Sequence, residues 1–268
     1  MTTARDRDEV ETRRAAIARD LAEAVTLDAL TRDFTIFQRR RGHRHSTDDL
    51  LTAWYAVEHA PRAVSRLLDL GTGIGSVGLA VAWRFPSATL LAIEVQALSH
   101  RLLCENVWAN GVEARVRAVH GDLRDAALAP EHDLVTGSPP YFDVKAGIVS
   151  ADPQRAGARF ELCGDVSDYC RAARDALAPG GRFVFCFPTT QRARAERACA
   201  DAELLVVASR DVVPRDGLPP LFSLFACRRG GGGDTSGSCT VEPPLIVRDR
   251  AGIHTPEMTA VRASFGMC

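Results

Sequence analysis

The sequence predicts an α/β fold: a doubly wound, mostly parallel sheet with an antiparallel pair of strands at its C-terminal edge. Three observations carry this expectation. Short apolar runs alternate with helix-length segments from residue 66 onward. A glycine-rich turn, Asp69-Leu-Gly71-Thr-Gly73-Ile-Gly75, joins the first of these runs to the first of these segments. Two late apolar runs are separated only by the loop PRDGLPP, too short for a helical crossover.

Each element follows from its residues. Residues 8–30 place Ile17, Leu21, Val25 and Leu30 on one face and predict a helix. Phe34, Ile36 and Gln38 alternate as in a strand. The segment RRRGHRH after them reads as a positively charged turn, either a solvated hairpin or a phosphate contact. Thr47-Asp48-Asp49 opens a helix through Leu50, Leu51, Trp54 and Tyr55, with Thr or Asp as its N-cap. RLLDLG is then a strand, SVGLAVAWRF a helix, ATLLAIEV a strand, and ALSHRLLCENVWANG a helix stopped at Asn110-Gly111. RVRAVHGD and HDLVTG are strands, VSDYCRAARDALAPGG is a helix ended by Pro and Gly, RFVFCFP is a strand, and QRARAERACADA is a helix. ELLVVASRDVV and LFSLFACRR form the antiparallel pair, and PPLIVRDRAGIHTPEM adds one short strand and a turn. GGGGDTSGSC, within 230–240, is a flexible loop by composition.

Bulk properties narrow the class. At 268 residues, with 46% hydrophobic and 25% charged residues, the chain reads as a soluble globular protein. A net charge of −1 argues against a protein that coats nucleic acid, though not against a local basic patch. Lys145 is the only lysine, an arginine bias attributable to a GC-rich genome. Eight scattered cysteines with no C-x-x-C pair suggest a reduced, cytoplasmic setting, with neither a disulfide framework nor a metal site. No apolar stretch approaches the ~20 residues of a membrane helix, and the charged N-terminus has no signal-peptide core.

The glycine turn is the first candidate site. Glycines between a strand and a helix let a ligand approach the backbone and the free N–H groups beyond it. Gly73-x-Gly75-x-x-Gly78 fits the dinucleotide pattern of Rossmann-like folds, with Glu94 near the expected ribose-binding acid. Asp69, however, stands where a phosphate would be repelled and a sulfonium attracted. Asp122 adds a third acid at a neighbouring strand end. Acids at three successive strand ends suit an amine, ribose hydroxyls and an adenine amine. S-adenosyl-L-methionine has all three and no phosphate, so it is the expected cofactor. A nicotinamide dehydrogenase remains the alternative, and no hydride-positioning site is visible for it.

A second candidate follows HDLV: Gly137-Ser138-Pro139-Pro140-Tyr141-Phe142. Adjacent prolines fit neither a helix interior nor a central strand. This turn resembles that of class I methyltransferases acting on planar nitrogen, written with Asn, Asp or Ser before PPY or PPF. STDDLLTAWYA, AGARFE (156–161) and LIVRDRAGIHTPEM extend the resemblance, over roughly residues 33–260, to bacterial tRNA(Val) adenine-N6-methyltransferases. The resemblance implies that Asp48, Asp69, Gly71, Glu94 and Asp122, with Gly73 and Gly75 of the turn, face the cofactor. It implies that Ser138, Pro139, Pro140 and Tyr141 face the target amine. A side-chain oxygen and the first proline's carbonyl would accept the amine's hydrogens as charge develops, and Tyr141 would stack on the flat substrate. The N-terminal helix and the Gly-rich loop are not part of the resemblance, and the expected organisation is a methyltransferase domain over 31–268 behind a helical extension at 1–30.

One departure stands out. The family carries Asn where this chain has Ser138, and Ser at this position also occurs in enzymes that methylate the cytosine amine. The expected activity is methyl transfer to an exocyclic amine, with adenine in tRNA first. A small molecule or a protein glutamine amide is the enzymatic alternative, and a cofactor-binding module without turnover is the non-enzymatic one. Oligomeric state leaves no sequence signature.

Overall fold

In the computed structural model, described for residues 5–144, 149–230 and 239–267, the dominant element is an eight-stranded sheet. Its strands are β3 (Arg66–Leu70), β4 (Thr89–Glu94), β5 (Val116–His120), β6 (His132–Gly137), β7 (Leu177–Pro188), β8 (Leu204–Val213), β9 (Phe222–Arg229) and β10 (Thr240–Ile246). A separate antiparallel hairpin pairs β1 (Val25–Ala29) with β2 (Thr35–Arg39). The helices are α1 (Arg7–Asp20), α2 (Thr47–Glu58), α3 (Ser76–Arg84), α4 (Ala97–Ala109), α5 (Pro153–Arg159), α6 (Val166–Ala176), α7 (Arg192–Asp201) and α8 (Pro256–Ser264). A 3-10 turn spans Thr189–Gln191.

Strand order is β10-β8-β9-β7-β6-β3-β4-β5. All neighbours are parallel except β7–β9 and β8–β9. The antiparallel β8–β9 pair forms as the short loop requires, but β10 then lies outside β8 and parallel to it. The sheet is buried on both faces, so successive residues of one strand enter different cores. Leu67 joins the core under α2, α3 and α4, whereas Leu68 and Leu70 join the core under α6 and α7.

From β3 the chain winds toward β4 and β5, then returns to place β6 and β7 on the other side of β3. That reversal leaves a crevice at the carboxyl ends of β3 and β6. Leu70 and Gly137 are register partners. The Gly71 turn and the Ser138 turn therefore leave adjacent strands side by side.

Several expectations need correction. The helix over 8–30 ends at Asp20. Ala22 takes a left-handed conformation (φ 49°) while the Glu23 amide reaches back to the Ala18 carbonyl, a Schellman-type stop. Val25 thus becomes a strand residue. The turn between β1 and β2 spans residue 30, so 1–30 carries a strand as well as a helix. Ser46, rather than Thr47 or Asp48, is the N-cap of α2, and Asp49 accepts its amide at 3.0 Å. Leu177–Gly181 is extended within β7 rather than helical, and the closing turn continues into α8. Most of the glycine-rich loop, 231–238, lies outside the described residues.

Candidate active site

The Asp69 turn closes against the helix it precedes. Gly71 (φ 57°) and Gly73 (φ 60°) hold a left-handed backbone that side chains rarely adopt. At Gly71 a Cβ would lie 1.9 Å from the Tyr169 hydroxyl, whereas at Gly73 it would meet nothing within 4 Å. Gly71 thus makes room for a side chain of the protein, and Gly73 leaves space in the cleft. Gly75 is the N-cap of α3, whose first turn faces the same opening.

The expected acids meet at this opening, each in a different state. Asp69 is 1% exposed and already satisfied. It accepts Thr136 Oγ1 at 2.6 Å, Thr72 Oγ1 at 2.5 Å and the Gly78 amide at 3.0 Å. Burial raises its pKa against those three bonds. Glu94 accepts the Gly73 amide at 2.8 Å and the Gln96 amide at 2.7 Å, and burial raises it also. Asp122 is held low by Arg124, whose guanidinium engages both its oxygens.

Asp48 sits elsewhere. It lines the neighbouring cavity, and the next residue, Asp49, faces the cleft. Asp49 is buried, and its pKa is raised well above the ordinary range by burial first and by Asp48 second. Sequence reading missed Asp49, although its place three residues after a Ser N-cap was a usable signal. It also missed Tyr169, whose ring packs between Gly71 and Gly137; no local pattern marks that contact.

Four carboxylates, Asp49, Asp69, Glu94 and Asp122, line the cleft, with neither lysine nor arginine among its described lining. A pyrophosphate would find no lysine or arginine in that lining to pair with, whereas the hydroxyl and ammonium donors of a nucleoside amino acid would find acceptors. The open space at Gly73 and the remaining acceptor capacity of Glu94, each of whose oxygens takes a single amide, fit S-adenosyl-L-methionine. The cleft is a narrow slot of about 80 Å³, and α5 supplies part of its wall through Gln154, Gly157 and Ala158.

The residues match the family described as "Methyltransferase small domain" over positions 50–196. The chain belongs to that family. Its members are class I S-adenosyl-L-methionine-dependent methyltransferases, and the acidic cleft fits their cofactor. Among curated relatives, a tRNA1(Val) (adenine(37)-N6)-methyltransferase of Aeromonas salmonicida is 32% identical, over 68% of this chain and 74% of its own length. One from Histophilus somni is 27% identical over 87% of this chain and 94% of its own. Matches to two Porphyromonas gingivalis relatives of the same name, each 31% identical, span 62% and 63% of those proteins. Among solved structures, a predicted O-methyltransferase from Agrobacterium tumefaciens superposes with a TM-score of 0.63 at 19% identity, covering 83% of this chain and 98% of its own; this likeness speaks for the fold.

Beyond the cleft lies a larger cavity of about 870 Å³. It shares His43, His45, Asp49, Ser138 and Ala158 with the cleft, so the two spaces have one wall in common. Pro139 and Tyr141 face the larger cavity and Pro140 faces the cleft. The turn is clamped from both sides. The Tyr141 and Phe142 amides donate to the Arg159 carbonyl at 3.1 and 2.9 Å. Gln191 Nε2 donates to the Tyr141 carbonyl at 2.9 Å. Burial lowers the pKa of His43 and of His45, which favours neutral imidazoles beside Ser138.

The RRRGHRH segment divides its labour. Arg39 ties β2 to α5 through Asp152 at 2.7 Å and also pairs with Glu23. Arg44 pairs with Asp28 at 3.1 Å. Arg44, Arg155 and Arg159 stand at the larger cavity.

Proposed function

We propose that this protein methylates the exocyclic amine of an adenine in tRNA. The observation that carries the reading is the common wall: Ser138 borders both the acidic cleft and the larger cavity. A donor on one side and a planar amine on the other would meet at that residue. In this reading Glu94, Asp122 and the turn Gly71–Gly75 hold the cofactor's nucleoside. Asp49 supplies a buried oxygen acceptor for its ammonium end, and binding that cation draws Asp49 toward its charged form. When bound, S-adenosyl-L-methionine supplies an electrophilic methyl group. Ser138 Oγ and the Pro139 carbonyl accept the amine's hydrogens as the nitrogen gains charge, a preorganised arrangement with no reorganisation at the moment of reaction. Pro139 and Pro140 restrict the turn, and Tyr141 supplies a stacking face that orients the base.

Adenine and tRNA come from the relatives' names, and the surface supports them. Arg44, Arg155 and Arg159 place positive charge at the cavity although the chain as a whole carries −1. A reaction on tRNA would place the protein in the cytoplasm. We further take residues 31–268 as the methyltransferase domain and 1–30 as its extension.

The test uses purified protein, labelled S-adenosyl-L-methionine and an unmodified tRNA transcript, with nucleosides read by mass spectrometry. N6-methyladenosine is expected. Label recovered in protein glutamine or in a small molecule, with none in RNA, would replace the acceptor and leave the enzyme class standing.

A further inference from the structure

The Ser138 hydroxyl has one side-chain hydrogen-bond partner among the described residues, the Cys186 thiol at 3.7 Å. Cys186 lies in β7, the strand beside β6, and lines the acceptor cavity while only 7% exposed. Burial pushes its pKa up to about 12, so it stays a neutral thiol at working pH.

A serine at this position carries a difficulty that an asparagine does not. An amide oxygen is an acceptor only. A hydroxyl has one proton as well as two lone pairs, and it rotates. If that proton pointed at the target amine, it would compete for the nitrogen lone pair that must attack the methyl group. The hydroxyl helps only when its proton points elsewhere and its lone pairs face the amine. We propose that Cys186 is a positioning residue: its sulfur accepts a hydrogen bond from the Ser138 hydroxyl, one of the two directions the 3.7 Å contact allows, and so turns the serine oxygen's lone pairs toward the acceptor amine. No bond is made or broken at Cys186, and it touches neither reacting atom. The inference rests on the proposed function, since it needs Ser138 to accept from an amine.

The test is a pair of substitutions in two backgrounds. Cys186→Ala removes the acceptor. With Ser138 present it is expected to lower kcat about three- to tenfold, the scale of one modest hydrogen bond. The KM for RNA and the affinity for S-adenosylhomocysteine should stay within about twofold, the spread left when only a transition-state contact is lost. Cys186→Ser, which keeps an acceptor, is expected to restore most of kcat. In a Ser138→Asn background, Cys186→Ala is expected to leave kcat unchanged, because an amide oxygen needs no orienting partner. A thermal melt in each background reports folding.

Equal loss of kcat from Cys186→Ala in both backgrounds would overturn the inference, since the thiol would then be only packing. No loss with Ser138 present would overturn it as well. A wild-type protein that methylates no adenine substrate would overturn the proposed function and this role with it, an outcome distinguishable from the other two.

Discussion

The Glu94 carboxylate accepts the Gly73 amide at 2.8 Å, which fastens the end of β4 to the glycine turn across the mouth of the cleft. Glu94 therefore shapes the turn as well as offering an acceptor to a ligand. Glu94→Ala is expected to weaken S-adenosylhomocysteine binding about 10- to 100-fold, the scale of one or two charge-assisted hydrogen bonds. Calorimetry measures this, and an unchanged affinity would place the nucleoside elsewhere.

The same carboxylate predicts a pH dependence. Burial raises its folded-state pKa above the ordinary 4.5. The folded state then holds the proton more tightly than the unfolded chain, so this group favours folding below the unfolded pKa and that contribution is lost as pH rises through the folded value. Relative to wild type, the melting temperature of Glu94→Gln should accordingly improve as pH rises from 4 to about 8. Ligand affinity runs the other way: hydroxyl donors prefer the carboxylate, so wild-type binding should fall as pH drops through the folded pKa. A Glu94→Gln protein with the same pH profile as wild type would refute this assignment.

Asp48 and Asp49 are adjacent in sequence and both line the larger cavity, but only Asp49 also reaches the cleft. Asp49→Ala is expected to weaken S-adenosylhomocysteine binding and to lower stability by about 1 kcal/mol through loss of the α2 capping box. Asp48→Ala should leave cofactor affinity within about twofold, as for a residue outside the cleft. The reverse ranking by calorimetry would favour Asp48 over Asp49 as the cofactor residue.

Tyr141 tests the stacking role. Stacking on an aromatic contributes about 1–3 kcal/mol per base, so Tyr141→Ala should lose about 5- to 150-fold in kcat/KM for RNA. S-adenosylhomocysteine affinity should be retained. Tyr141→Phe, which keeps the ring, should remain active. A fully active Tyr141→Ala would remove stacking from the mechanism.

Arg159 tests the charge at the acceptor cavity. If it meets a phosphate, Arg159→Ala should weaken RNA binding and reduce the slope of log K against log salt by about 0.7, the single-strand value per contact. Weaker binding with an unchanged slope would assign Arg159 a packing role through its stem.

The part of the site legible in sequence was the part made by local chemistry. The glycine turn and the proline turn announce themselves because few residues can adopt those backbones. Their meeting follows from a parallel sheet with a reversal in strand order. Asp48 and Asp49 were harder, because one step along a helix rotates the side chain by about 100°. A motif accurate to one residue can therefore leave open which of two neighbouring carboxylates reaches the cleft. Helix α5 escaped because seven residues, PQRAGAR, carry no apolar stripe. The place of β10 escaped for another reason: which strand pairs outermost is decided by long-range contacts. Ala22 ended α1 early in a left-handed conformation that glycine usually supplies.

Helix α5 touches both halves of the site. Gln154, Gly157 and Ala158 border the donor's slot, and the Arg159 carbonyl holds the turn that presents Tyr141. A nucleoside entering this narrow slot of about 80 Å³ would press directly on those three residues. Displacement of this short rod by the first arrival would be felt at once by the second. Occupancy by one substrate should thus alter the hold on the other by a reciprocal factor, making the order of addition a property of seven residues.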